Sequence, residues 1–293
     1  MTDAIPTPQN ERPTLLAVLA HPDDETFGMG GTLALYAQRG YQVYLVCATH
    51  GEVGEMPAEY MQGYTSIAER REAELRCAAG TLGLTDVFFL DYRDSGMAGS
   101  PENHHPQALA AAPQEKVAAE VVEYIRRLRP EVVITFDPIG GYRHPDHIAI
   151  HEATVKAFHL SGQEGVEGTT LPPYQPSKLY FHVMPHTMLR VAVRLMQLFG
   201  RDPRRFGQNQ DIDLVSVAEV SFPVHAVIDY RPVATVRDEA SACHASQGGR
   251  EMAKGVVGAL RHLFASKESF MRAYPQVANG HVERDLFEGL APV

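Results

Sequence analysis

Leu15-Leu16-Ala17-Val18-Leu19-Ala20-His21-Pro22-Asp23-Asp24-Glu25 is an apolar run that stops abruptly in a histidine, a proline and three acids. The run is continuously apolar rather than alternating, and it is too short for a helix. It therefore reads as a strand buried on both faces of a parallel sheet. In open α/β sheets, sites form beyond the carboxyl ends of the strands. An imidazole and two carboxylates at such an end suit a divalent metal and a general base. Asp23 and Asp24 are neighbours, so their side chains point in different directions, and one can hold an ion while the other faces a substrate. The plain alternative is that the acids merely open the next helix, where negative charge suits the N-terminal dipole.

Outward from this strand, helix and strand alternate. The second half of Thr26–Gly40 is helical and Gly40 closes it. Glycines 28, 30 and 31 are spaced G-x-G-G and do not directly follow the strand, a poor match for a dinucleotide loop. Small residues there suit close packing of a helix on the sheet, or of backbone on a metal site. Strands follow over 41–49, 87–90 and 131–136. Helices follow over 66–80 and 114–129, with the charges of the first, Glu69 to Glu74, expected mostly on a solvated face. This alternation predicts an α/β fold: a Rossmann-like, mostly parallel sheet with helices on both faces. Residues 1–13 read as a disordered leader and 14–160 as the catalytic core. Residues 161–293 read as a C-terminal α+β extension that completes the same domain and forms the substrate rim. Its elements are strands over 178–184 and 218–228, helices over 186–199, 232–244 and 251–264, and a short strand or coil near 268–270.

The 293 residues are 44% hydrophobic and 21% charged, enough for a sizeable core. A net charge of −10 argues against nucleic-acid binding, which needs a basic face. The N-terminus has no signal-peptide pattern, and no apolar run approaches the ~20 residues of a membrane span, so no membrane partner is expected. Cys47, Cys77 and Cys243 lack CxxC spacing. They read as separate, small, buried groups in a reducing cytoplasm rather than as a disulfide framework. A homo-oligomer is compatible with the sequence.

Directly after the 131–136 strand comes a second chemical cluster, Asp137-Pro138-Ile139-Gly140-Gly141-Tyr142-Arg143-His144-Pro145-Asp146-His147. It is too polar and turn-rich for a core strand, and a helix over 148–160 follows, carrying His151. His21 and Asp24 thus end one strand, and His144 and His147 end another. Two imidazoles and one carboxylate around a cation form a catalytic zinc arrangement, and the same set accepts ferrous iron; one ion per chain is expected. Such an ion lowers the pKa of water toward ~7. A carboxylate outside the ligand set can take the water's proton, and a histidine beside the ion can stabilise an oxyanion or protonate a leaving amine.

The segment 20–25, Ala-His-Pro-Asp-Asp-Glu, with 144–147, His-Pro-Asp-His, resembles the PIG-L/LmbE-like family of metal-dependent N-deacetylases. The likeness covers most of 14–160, plus His244-Ala245-Ser246-Gln247. Asp91 to Met97 and Gly140 to His144 resemble the branch that deacetylates N-acetylglucosaminyl conjugates in mycothiol and bacillithiol biosynthesis. The resemblance implies His21, Asp24 and His147 as metal ligands and Asp23 as general base. It implies His144 as the group that stabilises or protonates the tetrahedral intermediate. It implies Arg71, Asp94 and Tyr142 as substrate contacts, Asp146 as an orienter of a histidine, and His244 at the edge of the site. The activity implied is removal of acetate from GlcNAc-malate or GlcNAc-inositol, a small-molecule substrate, by metal-activated water. Two alternatives stand beside it: an amidase for another N-acetylated sugar or secondary-metabolite intermediate, and a sensing module with an idle site.

Overall fold

The computed structural model describes residues 12–184, 186–206, 210, 212–250, 266–277 and 280–290. In chain order the elements are β1 (Thr14–Leu19), α1 (Asp24–Gln38), β2 (Gln42–Thr49), α2 (Ile67–Leu82), β3 (Asp86–Tyr92), α3 (Gln114–Leu128), β4 (Val132–Phe136), the single turn α4 (Gly140–Arg143), α5 (Pro145–Leu160), β5 (Lys178–Val183), α6 (His186–Leu198), α7 (Leu214–Ala218), β6 (Ala226–Asp229), α8 (Ala234–Cys243) and β7 (Lys267–Tyr274). They build one seven-stranded sheet in the order β3-β2-β1-β4-β5-β7-β6. The pairs among β1 to β5 are parallel, and β7 runs antiparallel to both β5 and β6.

Every residue of β1 and β4 is buried, as continuous apolar strands require. The strand order reverses between β1 and β4, so their carboxyl ends lie side by side at the switch point where such sheets bind ligands. Helices α1, α2 and α8 pack together in one layer, and α3 and α5 in another. The mostly parallel α/β sheet expected from the alternation is therefore present.

Several expectations need correction. Helix α1 starts at Asp24 and breaks at Met29 (φ −139°). Beyond the break, the Glu268 carboxylate on β7 accepts the N–H groups of Gly31 (3.0 Å) and Thr32 (2.7 Å), acting as a cap from a distant strand. A Cβ at Gly31 would come within 2.1 Å of the Tyr230 ring, so the glycine stretch serves close packing of α1 rather than a nucleotide. Helix α5 starts at Pro145, because proline favours the first helical position. Of the expected 218–228 strand only the last three residues are in a strand, Ala226–Asp229, while the short segment near 268–270 is an eight-residue strand inside the sheet. Pairing with β5 and β6, rather than local pattern, decides both.

Cys77 and Cys243, expected as separate buried thiols, form a disulfide with Cα atoms 5.8 Å apart. The packing of α2 against α8 brings them together across 166 residues, which spacing along the chain does not reveal. Cys47 alone is a buried free thiol. The leader up to residue 11 and the expected helix over 251–264 lie outside the described residues. Among the described residues, no helix is long and apolar enough to cross a membrane.

Candidate functional site

The two clusters meet at the β1/β4 edge. Asp23 is the N-cap of α1 but makes no capping bond with its side chain; Asp24 and Glu25 fill the first turn. A helix-opening role therefore accounts for Asp24 and Glu25 and leaves Asp23 free for other work. Across the switch point, the His144 ring accepts the Asp146 N–H at 3.2 Å as N-cap of α5, and Pro145 sets the first turn. With Nδ1 accepting, the neutral ring carries its proton on Nε2. His147 follows in the same turn, its ring stacked on Phe136 at 3.9 Å.

Nδ1 of His21 lies 3.2 Å from Nε2 of His147. The Asp24 carboxylate lies 3.6 Å from the first nitrogen and 3.3 Å from the second. Tetrahedral ligands at zinc–nitrogen and zinc–oxygen bond lengths stand about 3.3 Å apart, so the two imidazoles are at ligand spacing, and Asp24 approaches one through Oδ2 and the other through Oδ1. Donor atoms of His21, Asp94, His144 and Asp146 also lie within 4.8 Å of one another, a second set that could hold a cation. The other nitrogen of His21, Nε2, faces Asp146 Oδ2 at 3.0 Å. Asp146 is in turn held by the backbone N–H of Ser95 at 2.8 Å and by its hydroxyl. A carboxylate behind a ligating imidazole fixes its tautomer and orientation. His144 also presents a ring nitrogen to this cluster, within 4.8 Å of those of His21 and His147.

The electrostatics fit a cation too. His21 is buried, which opposes its charging, yet the carboxylates of Asp94, Asp146 and Asp24 hold its pKa well above the ordinary value. Burial likewise works against the Asp24 carboxylate, but His147 and His21 keep it ionised far below the usual range. Burial pushes His147 down to about 4, against the pull of Asp24. Burial, with His21 and His147 adding to it, pushes His144 well below its ordinary pKa. It is therefore a neutral ring with an Nε2–H to donate.

Asp23 stands beside the ligand group and outside it. Its backbone has φ 131°, a region that side-chain-bearing residues rarely adopt. Glu25 Oε2 accepts its N–H at 3.0 Å, and Arg71 Nη2 donates to its Oδ2 at 2.9 Å. Burial and the neighbouring Asp24 push the Asp23 carboxyl up to about 6, although Arg71 opposes this.

A cavity of about 380 Å3 opens over these groups, with His21, Asp23, Arg71, Asp94, Tyr142 and His144 in its wall. Of the residues expected at the site, Asp24 and His147, the expected ligands, and Asp146 and His244 are absent from this wall. Arg71 lines it in an unexpected way. It is only 5% exposed rather than on a solvated helix face, and it donates to the carbonyls of Pro22 (2.7 Å) and Gly51 (2.9 Å) as well as to Asp23. A Cβ at Gly51 would strike the guanidinium at 2.2 Å, so glycine is required there. Asp94 accepts the Gly96 N–H at 2.8 Å and lies 3.6 Å from His21.

Two buried contacts beside the site are not predicted by the sequence. Glu25, fully buried, accepts from Thr26 and pairs with His244 Nε2 at 2.7 Å, so His244 reaches the site through Glu25. Glu74, expected among the solvated charges of α2, is buried and accepts from Ser246 through N–H (3.0 Å) and hydroxyl (2.6 Å). The signal for both lay in the His244-Ala245-Ser246-Gln247 run, but its partners are 219 and 172 residues away.

The family model for PIG-L, GlcNAc-PI de-N-acetylase, matches residues 16–158. A Kineococcus radiotolerans protein named 1D-myo-inositol 2-acetamido-2-deoxy-alpha-D-glucopyranoside deacetylase is 36% identical, over 95% of this chain and 83% of its own. A protein of the same name from Thermomonospora curvata is 38% identical, over 94% of this chain and 96% of its own. The structure of N,N'-diacetylchitobiose deacetylase from Pyrococcus horikoshii aligns with a TM-score of 0.61 at 20% identity, covering 89% of this chain and 84% of that one, a likeness of fold. With sequence likeness running nearly end to end and both motif clusters inside the matched segment, the chain belongs to the PIG-L family of de-N-acetylases.

Proposed function

We propose that the protein hydrolyses the acetamide of an N-acetylglucosaminyl-inositol, releasing acetate and the free amine. The observation that carries this is the meeting of His21, Asp24 and His147 at ligand spacing beside a carboxylate that is not needed as a ligand, Asp23. The inositol glycoside is favoured over the malate one because both relatives above carry it in their names.

His21, Asp24 and His147 would hold one divalent cation, zinc or ferrous iron, which supplies a Lewis acid for the amide carbonyl and water reactive at neutral pH. Asp23 takes the proton of the attacking water; a carboxyl near 6 is matched to that task at neutral pH. The Nε2–H of His144 donates to the oxygen that becomes negative, and the Tyr142 hydroxyl is the second donor in the wall. Asp23, having gained a proton, is the group in reach to pass it to the departing nitrogen. Asp94 and the polar wall around it suit the hydroxyls of a sugar ring, while Arg71 holds the loop that carries Asp23.

The test uses chelator-stripped protein reloaded with zinc or iron and given GlcNAc-inositol and GlcNAc-malate. Acetate release that depends on the metal and is faster from the inositol glycoside is expected. Equal metal loading with no acetate from either compound refutes the reading. Faster release from the malate glycoside overturns the choice of aglycone.

A further inference from the structure

A second cavity, of about 310 Å3, lies against the same centre. Asp23 and Tyr142 belong to the walls of both cavities, and Asp24 and His147 face this one. Its character is different. Much of the remaining wall is apolar, with Phe27, Phe136, Leu189, Leu214, Val217 and Phe222 in it. Asp137, also in the wall, has its Oδ1 taken up by the N–H groups of Ile139 and Gly141, both at 3.0 Å. His182, in the wall as well, is kept uncharged at neutral pH by burial. Met184, 55% exposed, marks the mouth.

An amide is planar, and its carbonyl carbon carries two substituents that point apart: the nitrogen, with the sugar, and the acyl carbon. With the sugar in the polar cavity, the acyl carbon faces the apolar one. A single methyl group fills little of it. Protein interiors rarely leave such space empty, and a volume near 300 Å3 is that of a small ligand site. We infer that this cavity takes the aliphatic tail of N-acyl groups longer than acetyl, so that the protein also removes medium-chain acyl groups from glucosamine conjugates.

The inference rests on the deacetylase reading and extends it. The reaction is the same hydrolysis. Water's oxygen bonds to the acyl carbon, the C–N bond breaks, and the fatty acid leaves as carboxylate while the amine takes up a proton. Each methylene buried in the cavity is worth roughly fourfold in kcat/KM.

The test measures amine release by the zinc-loaded protein from the N-acetyl, N-butanoyl and N-hexanoyl forms of one glucosaminyl-inositol. The hexanoyl form is expected to match or exceed the acetyl form in kcat/KM. Val217→Phe, which fills the cavity, should lower the hexanoyl-to-acetyl ratio at least tenfold, and Val217→Ala should raise it. Octyl N-acetylglucosaminide separates an acyl tail from an alkyl aglycone. If Val217→Phe slows the octyl glycoside and spares the hexanoyl amide, the cavity belongs to the aglycone and the inference falls. Release from the acetyl form with the hexanoyl form a hundredfold slower overturns this inference alone. No release from any form sinks the deacetylase reading and this inference with it.

Discussion

Arg71 holds Asp23 from beneath: Nη2 stands 2.9 Å from Asp23 Oδ2 and donates to the carbonyl of Pro22 at the same time. Nη1 is engaged by Gly51. This arginine is thus spent on the loop that carries the proposed base, which sits in strained backbone. Arg71→Met should destabilise the fold by about 3–5 kcal/mol, the cost of stranding a buried partner charge and two carbonyls. It should lower kcat with little change in KM. Urea unfolding and steady-state kinetics check this. A rise in KM alone, at unchanged stability, would return Arg71 to the substrate.

Asp23 and Asp24 should separate cleanly. Asp23→Asn should lower kcat by about 10²–10⁴ while one metal ion per chain is retained. Asp24→Asn removes a carboxylate 3.3 Å from His147 Nε2 and should lose the metal at modest chelator concentration. Metal analysis after dialysis, alongside kcat, decides between them. The reverse pattern would exchange the two roles.

His244 is linked through Glu25 to Asp23, the proposed base. His244 and Glu25 are fully buried, and Glu25 also accepts the Asp23 N–H. His244→Ala leaves a buried carboxylate without its main partner, a loss of about 2–3 kcal/mol. His244→Gln, which keeps a donor, should recover most of both stability and kcat. Equal behaviour of the two variants in thermal unfolding and turnover would mean that the hydrogen bond to Glu25 does nothing for Asp23.

What the sequence disclosed follows the range of the physics. The buried strands 14–19 and 132–136 are legible because burial on both faces makes them continuously apolar. The motif residues are legible because each is fixed by its own strand end. Contacts set by packing across the chain are not. The cap that Glu268 gives the second half of α1, the Cys77–Cys243 bridge and the burial of Arg71 and Glu74 all depend on which helix lies beside which. A polar residue on a helix reads as solvated until its partner is known, and here the partners lie up to 237 residues away.

His182 makes stability depend on pH. Burial lowers its pKa from 6.5 to about 4 in the folded protein. Above 6.5 the ring is neutral in both states and contributes nothing. As pH falls from 6.5 toward 4, the unfolded chain takes up a proton that the folded ring refuses, so stability is lost across that window. At up to 1.36 kcal/mol per pH unit, the loss between pH 7 and pH 5 reaches about 2 kcal/mol. His182→Phe keeps a ring of similar size beside Phe270, whose centroid lies 5.7 Å away, and removes the titration. Urea unfolding of metal-free protein at both pH values should show the variant losing less stability than the parent on acidification. Parallel losses in the two proteins would mean that the folded state protonates His182 freely.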